Sequence, residues 1–488
     1  MIKRQNNIII FLYAILLSLV SLSIYAYTTS PLYKEPSSGD SAIFQTIGKG
    51  WAEGVLPYVD LWDLKGPIIF FINCLGYLLM GSRTGLFLIE VLSFTITLLI
   101  LFRLLQKSFS ATYSCLLLLL PVISFSANNI GGNCVEEYLL PLLSLSFLLL
   151  YQWLSDVEAG GGMTTHPAPY AFVYGMVLSF SLLTRLTNAL GICGAVAVIG
   201  FWLMIKGEWR NLGANIMSFI AGFAILFLPF AAYFSHYDAF GEMWYGTFLY
   251  NLEYAEASGS DLHSLTGVAR TIVHFADTWL LLGTAVLMLI FKSKRRLAAM
   301  MWLVVSLFTI LWLLRGYGFS HYGIISLPYI CISILELRNL YMEKDTKIRR
   351  ATYFSIVVLY TMIIVSSCAY SYRLFNSLYL ENINLKECRN FLKGIPKDYK
   401  DSFIAYNCTH DIYIYNDIRP YYRFFTLQDF ESKNSLSLQT KLKEEFRGDV
   451  KWILVKGDAK EINQILLSNY SIYKQENGSR LILYKRNN

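Results

Sequence analysis

The sequence predicts a polytopic α-helical membrane protein, with about 11 transmembrane helices and a small C-terminal α/β domain outside the cytoplasm. Three observations lead there. Of 488 residues, 55% are hydrophobic and only 15% charged, whereas a soluble chain carries about a quarter charged residues. Apolar runs of about 18 residues or more recur along the chain, with a mean hydropathy of +0.44, and each is long enough to cross a ~30 Å hydrocarbon core. After Tyr372 the composition turns polar, and helical patterns at 383–394 and 435–446 alternate with strand-like runs at Trp452–Val455 and Leu481–Tyr484. The division is therefore a transmembrane part, 1–371, and an extracytoplasmic α/β part, 372–488.

Taken in order, Lys3 and Arg4 precede an apolar run, Ile8–Tyr27. No small-residue cleavage site follows it, so it reads as a retained span with its N-terminus inside. The first outer loop, 28–84, then carries Ile43, Phe44, Ile47 and Trp51 at helical spacing, which predicts a short amphipathic helix on the membrane surface. The apolar segment 68–81 is short for a crossing and is placed at the same interface. Charge supports this. With that segment at the interface, inner loops hold fifteen Lys and Arg residues, including Lys292, Lys294, Arg295 and Arg296, against seven in the outer loops before the C-terminal part; were it to span, the positive-inside bias would reverse. The remaining spans are predicted at 85–105, 110–126, 136–154, 169–187, 189–206, 213–234, 270–291, 297–314, 319–336 and 351–371. An outer loop at 235–269 is aromatic-rich and acidic.

The formal charge of +7 sits mostly in these short loops and points to no nucleic-acid partner. The eight cysteines form no CxxC and no metal-ligand spacing with the six histidines. Cys74, Cys115, Cys193, Cys331 and Cys368 lie in apolar segments as packing residues. Cys388 and Cys408 lie in the polar C-terminal part, where an oxidising compartment permits a disulfide that the sequence leaves open.

Polar residues needing a reason collect at the predicted outer face. The stretch SGDSAIFQTIGKGWAEGVLPYVDLWDLKGP, 38–67, holds Asp40, Asp60, Asp63 and Lys65, and charge beside a bilayer is costly unless satisfied. Glu136 and Glu137 open one predicted span, Arg185 and Asn188 stand where two others meet, and His321 with Tyr322 begins a late one. Each has a plainer reading. Asp40 caps the helix that follows, the glutamates favour a helix dipole and one of them is merely solvated, Arg185 snorkels, His321 packs, and Asp60 and Asp63 cap turns. Lys65 before Gly66-Pro67 is harder to dismiss, because a cation on a rigid turn at headgroup level suits a lipid phosphate. An acid facing water beside the bilayer can deprotonate an acceptor hydroxyl, and cations there can stabilise a departing phosphate. No GxGxxG, Walker or HExxH motif stands in a suitable context.

At these residues the chain resembles the GT-C glycosyltransferases, in the branch of the aminoarabinose lipid A transferase and the protein O-mannosyltransferases. Gly39-Asp40, the helix ending at Gly54, and LPYVDLWDLKGPI carry the resemblance, with NCVEEYL, Thr184-Arg185 and His321-Tyr322 followed by Pro328. The resemblance implies a GT-C-like arrangement of helices. It also implies transfer of a sugar, with inversion, from a polyprenyl-phosphate donor to a lipid, glycan or protein acceptor on the extracytoplasmic face of a bacterial inner membrane. In that scheme Asp40 is the general base, and Glu136 positions the acceptor or a divalent ion. Lys65, Arg185 and Tyr322 bind the donor phosphate, while Asp60, Asp63, Glu137, Asn188 and His321 line the substrate. Some relatives require a divalent cation such as Mg or Mn and others do not. The competing expectation is a transporter or flippase of a lipid-linked saccharide, which places polar residues and broken helices near the midplane.

Overall fold

The computed structural model describes residues 2–36, 39–129, 131–159, 163–257, 272, 274–313, 319–343, 346–393, 395–396, 399–400, 402–426, 440, 444, 450–476 and 478–487. Its helices are α1 (Ile2–Tyr25), α2 (Asp40–Ala52), α3 (Pro67–Met80), α4 (Arg83–Leu105), α5 (Ala111–Leu117), α6 (Leu119–Asn128), α7 (Val135–Glu158), α8 (Ala168–Leu182), α9 (Leu190–Ile205), α10 (Trp209–His236), α11 (Phe240–Trp244), α12 (Tyr250–Ala257), α13 (Ala276–Ile290), α14 (Arg296–Leu313), α15 (Leu327–Glu343), α16 (Thr346–Leu392), α17 (Asp411–Tyr415) and α18 (Asn463–Asn469). Each apolar run read as a span coincides with helix. Among the described residues seven helices are long and apolar enough to cross a membrane, and five shorter ones are apolar as well. The chain is a multi-pass membrane protein. The run read as one span at 110–126 is divided between α5 and α6, where Pro121 lacks the N–H that would bond the carbonyl of Leu117.

The chain forms two compact units. One comprises Met1–Ala26, Leu88–Phe230 and Gly259–Arg373. Its helices close on one another where side chains vanish: a Cβ on Gly175 of α8 would overlap the carbonyl of Phe219 on α10, and one on Gly222 would overlap that of Phe172. Backbones approach this closely in membrane bundles because small residues let them. The other side of α10 presents Ile216, Met217, Ile220, Ile225 and Leu228 outward, the surface expected toward acyl chains. At one end of this unit Arg295 is the hub of a buried network. Its Nε and Nη2 donate to Glu336 at 2.8 and 2.9 Å, its Nη1 stands 3.4 Å from Glu158, and Trp302 Nε1 donates to Glu336 at 3.0 Å. Three helices, α7, α14 and α15, are thereby tied through charges of which Glu336 is fully buried and the others mostly so.

The second unit comprises Tyr27–Phe87, Ala231–Ser258 and Leu374–Asn488. Its mixed sheet has the order β1-β2-β4-β3. β1 (Phe403–Tyr406) runs parallel to β2 (Trp452–Lys456), while β4 (Leu481–Arg486) is antiparallel to both β2 and β3 (Tyr470–Gln475). The predicted strands are thus present, and the pattern at 383–394 forms the last turns of α16; the one at 435–446 falls mostly outside the described residues. Leu385, Cys388, Phe391 and Leu392 of α16 are buried, and Lys456 and Ser479 bond Asn384 and Glu387 beside them.

The apolar stripe of α2 faces protein: Ile43, Phe44 and Ile47 are at most 9% exposed. α2 packs against α3 so closely that a Cβ on Gly48 would collide with Asn73. Its polar neighbours explain the choice, since Gln45, Thr46 and Asn73 are buried too and bond within the pair or beside it. Phe71, Leu75, Leu78, Leu79 and Met80 of α3 form the outward apolar surface.

Removing one partner from a buried, hydrogen-bonded ion pair leaves an uncompensated charge and costs about 3–5 kcal/mol. Glu336→Ala is therefore expected to lower the thermal midpoint of the detergent-solubilised protein sharply, whereas Asp156→Ala, outside the network, leaves it near the wild-type value.

Candidate active site

In the first unit the α7 terminus is built around a loop. Asn129 Oδ1 accepts the N–H groups of Gly131 and Gly132 at 2.9 and 2.6 Å, and the Asn133 N–H donates to Glu90 Oε1. Gly132, at φ +87°, comes so close to Glu90 and Ala26 that a Cβ there would meet both. This turn sets the start of α7, and with it Glu136 and Glu137. Both are buried, at 1% and 4% exposure. The expectation that one would be merely solvated is therefore not met: Glu137 lies beside Glu90, which α4 carries into the same interior.

Glu136 Oε1 accepts from Arg185 Nη1 and from Asn188 Nδ2, both at 3.3 Å. Arg185 precedes a short 3-10 turn, Leu186–Ala189, in extended conformation, which aims its side chain back at α7. The guanidinium carbon sits 3.2 Å from the centroid of the Tyr322 ring, a cation–π contact. Tyr322 belongs to a second 3-10 turn, Ser320–Ser326, where His321 and Phe319 meet it edge-to-face at 4.3 and 5.5 Å. Arg185 is thus clamped between an acid and a ring, with 18% of its side chain exposed, rather than reaching freely into solvent. Glu136 Oε2 accepts no hydrogen bond among the described residues.

In the second unit Asp40 opens α2 without capping it. The N-cap is Gly39, no side-chain capping bond forms, and the Asp40 carboxylate is exposed. The turn that follows α2 is assembled from aromatic residues. Tyr58, at φ +68° and fully buried, donates its hydroxyl to the Lys65 carbonyl at 2.7 Å and meets Thr247 at 3.2 Å. Trp62 donates its backbone N–H to Arg423 O at 2.9 Å, and Thr426 bonds its carbonyl. Asp60 Oδ2 accepts the Leu56 N–H at 2.7 Å, the turn-capping part that the sequence also allowed. Asp63 is buried and accepts the Lys65 N–H at 3.1 Å. Lys65 is half-buried, ahead of Gly66 and of Pro67 in the first turn of α3. Burial pushes the Asp63 carboxyl up to about 6; Lys65 opposes that shift and Asp40 adds to it, so these three charges share one electrostatic neighbourhood.

Sequence reasoning missed two residues near these sets. Glu90 was visible as a lone acid inside an apolar helix, a default functional signal. His410 meets Phe425 edge-to-face at 5.9 Å; burial holds its pKa low, against Asp411, the Phe425 backbone and Asp40. Only the short polar run Thr409-His410-Asp411 marked it. Among the described residues no three His, Cys, Asp or Glu side chains group as a metal set. Glu136, the residue the family resemblance would offer an ion, has one oxygen taken by two donors, one of them a guanidinium whose charge opposes a second cation. These residues do not fit a divalent ion.

No protein-family model matches the chain, and no curated protein sequence does. Solved structures do. The chain is similar to ArnT from Cupriavidus metallidurans, a structure bound to undecaprenyl phosphate, with TM-score 0.59 and 10% identity over 98% of this chain and 97% of that one. It is also similar to the apo oligosaccharyltransferase of Archaeoglobus fulgidus, with TM-score 0.52 and 12% identity over 91% of this chain and 69% of that one. At these identities the likeness is one of fold, and it extends over nearly the whole chain.

Asp63 yields a pH prediction. Its folded pKa of about 6 lies above the ordinary 3.8, so the folded state holds the proton more tightly than the unfolded chain. Its stabilising contribution is complete below about pH 4 and is lost as pH rises through about 6, an effect of up to about 3 kcal/mol. Between pH 4 and 7 the thermal midpoint of the wild type should fall relative to that of Asp63→Asn. A wild type that gains relative to the variant over this range overturns the assignment.

Proposed function

We propose that the chain is an integral-membrane glycosyltransferase that moves a hexosyl or pentosyl group from a polyprenyl-phosphate donor to an acceptor hydroxyl of a lipid, glycan or protein. Transfer proceeds with inversion on the extracytoplasmic face, in a bacterial inner membrane. Residues 1–371 form the transmembrane catalytic part and 372–488 the extracytoplasmic domain. The GT-C fold supports the class, and the undecaprenyl phosphate bound to ArnT supports the donor. The observation that carries the reading is Asp40: an exposed carboxylate at a helix start, spared from capping and charge-coupled to Asp63 and Lys65.

The proposed chemistry is direct displacement. Asp40 takes the proton of the acceptor hydroxyl as its oxygen attacks the anomeric carbon. The bond from that carbon to the phosphate oxygen breaks, and the polyprenyl phosphate leaves as an anion. Lys65, in the same unit as Asp40, stabilises the departing charge. In the first unit the Arg185 guanidinium is held for a phosphate by Tyr322 at its face and by Glu136 at its edge, with Asn188 donating to Glu136. Glu137, Asp60, Asp63 and His321 shape the surroundings of the substrate. No step requires a metal ion. The transporter reading lacks a specific observation, because Glu136, Arg185 and Tyr322 all stand at helix ends.

Purified protein supplied with a polyprenyl-phosphate sugar and an acceptor is expected to release polyprenyl phosphate. Asp40→Asn should lower kcat by about 10²–10⁴-fold with the thermal midpoint unchanged; undiminished turnover ends the general-base assignment. Movement of labelled lipid between leaflets with the sugar–phosphate bond intact would instead support the flippase.

Tyr322 gives a finer test. Tyr322→Phe keeps a ring beneath Arg185 and should stay within a few-fold of wild-type kcat/KM. Tyr322→Ala removes the cation–π contact and should cost about tenfold, read as a raised KM for the donor.

A further inference from the structure

Two cysteines of the second unit come together in a way the catalytic reading does not use. Cys388 lies in the last turns of α16, on the face that also carries Leu385, Phe391 and Leu392, and is 1% exposed. Cys408 follows β1, is 5% exposed, and has its Sγ 3.4 Å from Tyr406 O and 3.6 Å from Leu454 O on the neighbouring strand. The two thiols are in hydrogen-bonding contact. The helix segment is fixed over the sheet on both sides of Cys388, by Lys456 on Asn384 and Ser479 on Glu387, with Lys474 Nζ donating to Phe391 O at 3.3 Å. The contact is thus held by packing that does not involve the sulfurs themselves.

We propose that Cys388 and Cys408 are a disulfide-forming pair that staples the end of α16 to β1. The inference rests on the extracytoplasmic placement proposed above for its oxidising surroundings; the meeting of the sulfurs is a matter of packing alone.

The chemistry is thiol–disulfide exchange. The oxidant is an external disulfide, such as glutathione disulfide or the active-site disulfide of a thiol oxidase. The Cys388 thiolate attacks one sulfur of that disulfide, forming a mixed disulfide and releasing the other sulfur as a thiolate. Cys408 then loses its proton and attacks Cys388 Sγ, expelling the second thiolate. Two electrons pass from the cysteine pair to the external disulfide, and two protons are released. Exchange takes place on the folding chain, before the sheet covers both sulfurs.

The test uses the full chain, alkylated with N-ethylmaleimide from the moment of lysis, then denatured, digested and weighed. Expected is alkylation of two fewer than the eight cysteines unless a reductant is added first, with a linked pair of peptides carrying Cys388 and Cys408 that lacks two hydrogens relative to their sum. A linkage of either residue to a different cysteine overturns the proposal. Protein recovered with both thiols free is then treated with diamide, a small oxidant that accepts the two electrons and two protons. Formation of the same link supports the pairing and overturns the extracytoplasmic placement instead. Failure to link under diamide overturns the pairing, while release of polyprenyl phosphate in the separate assay leaves the proposed activity standing.

Discussion

The first unit depends on one demand: the Glu136 carboxylate must not be left alone in a low-dielectric interior. Desolvating such a charge costs several kcal/mol, recovered only by well-placed donors. Two donors answer it, Arg185 and Asn188, both from the turn between α8 and α9. Arg185 in turn lies on the Tyr322 ring. A single buried charge therefore fixes three segments that are far apart in sequence. The N-terminus of α7, the 3-10 turn after α8 and the 3-10 turn before α15 cannot shift independently without uncovering it. A guanidinium held on its edge by a carboxylate and on its face by a ring has little freedom left, which is the preorganisation that stabilising a leaving phosphate requires.

The second unit solves a different problem, how to hold a short polar turn rigid outside a helix. Between α2 and α3 the chain has fourteen residues outside any helix, and aromatic side chains supply the anchors. Tyr58 accepts a left-handed backbone because its ring is buried against Phe70 and Phe234 and its hydroxyl bonds the Lys65 carbonyl. Trp62 packs on Tyr250 and Phe424. Asp63 and Lys65 are consequently positioned by apolar burial, and their mutual attraction is secondary. That ordering explains why Asp63 is buried at all: its neighbours Trp62 and Leu61 go inward, and the acid follows, held by the backbone N–H groups of Leu64 and Lys65 and by the Lys65 charge.

How legible was this in the sequence? Hydrophobic runs marked the helices well, since a membrane leaves the backbone almost no alternative, and the two strand runs in the polar region were also found. The period-3.6 pattern of α2 gave the helix but not its partner: an apolar stripe says that a face is buried, not whether lipid or protein buries it. The buried Gln45, Thr46 and Asn73 beside that stripe were the available hint, since polar groups of this kind seek protein rather than acyl chains. Glu90 escaped because it was counted as part of a span, and its meaning emerges only when the Asn129–Asn133 loop folds over it. His410 escaped because contact with the Asp40 neighbourhood is made through the 423–426 segment, a tertiary relation that no local spacing records.

Asp40 and Asp63 stand in one electrostatic neighbourhood but in opposite surroundings, and this separates their roles. A general base must be open to the incoming hydroxyl and able to release the proton to water afterwards. Asp63 meets neither condition: it is buried, bonded to the Lys65 N–H, and its proton is held up to about pH 6 by desolvation. Asp40 is exposed and uncapped, with its backbone fixed by a buried helix. The negative charge of Asp63 also works on its neighbour, since two acids near each other favour a proton on one of them. On the proposed reading the pair divides the work: the exposed member exchanges protons, and the buried one shares its electrostatic neighbourhood.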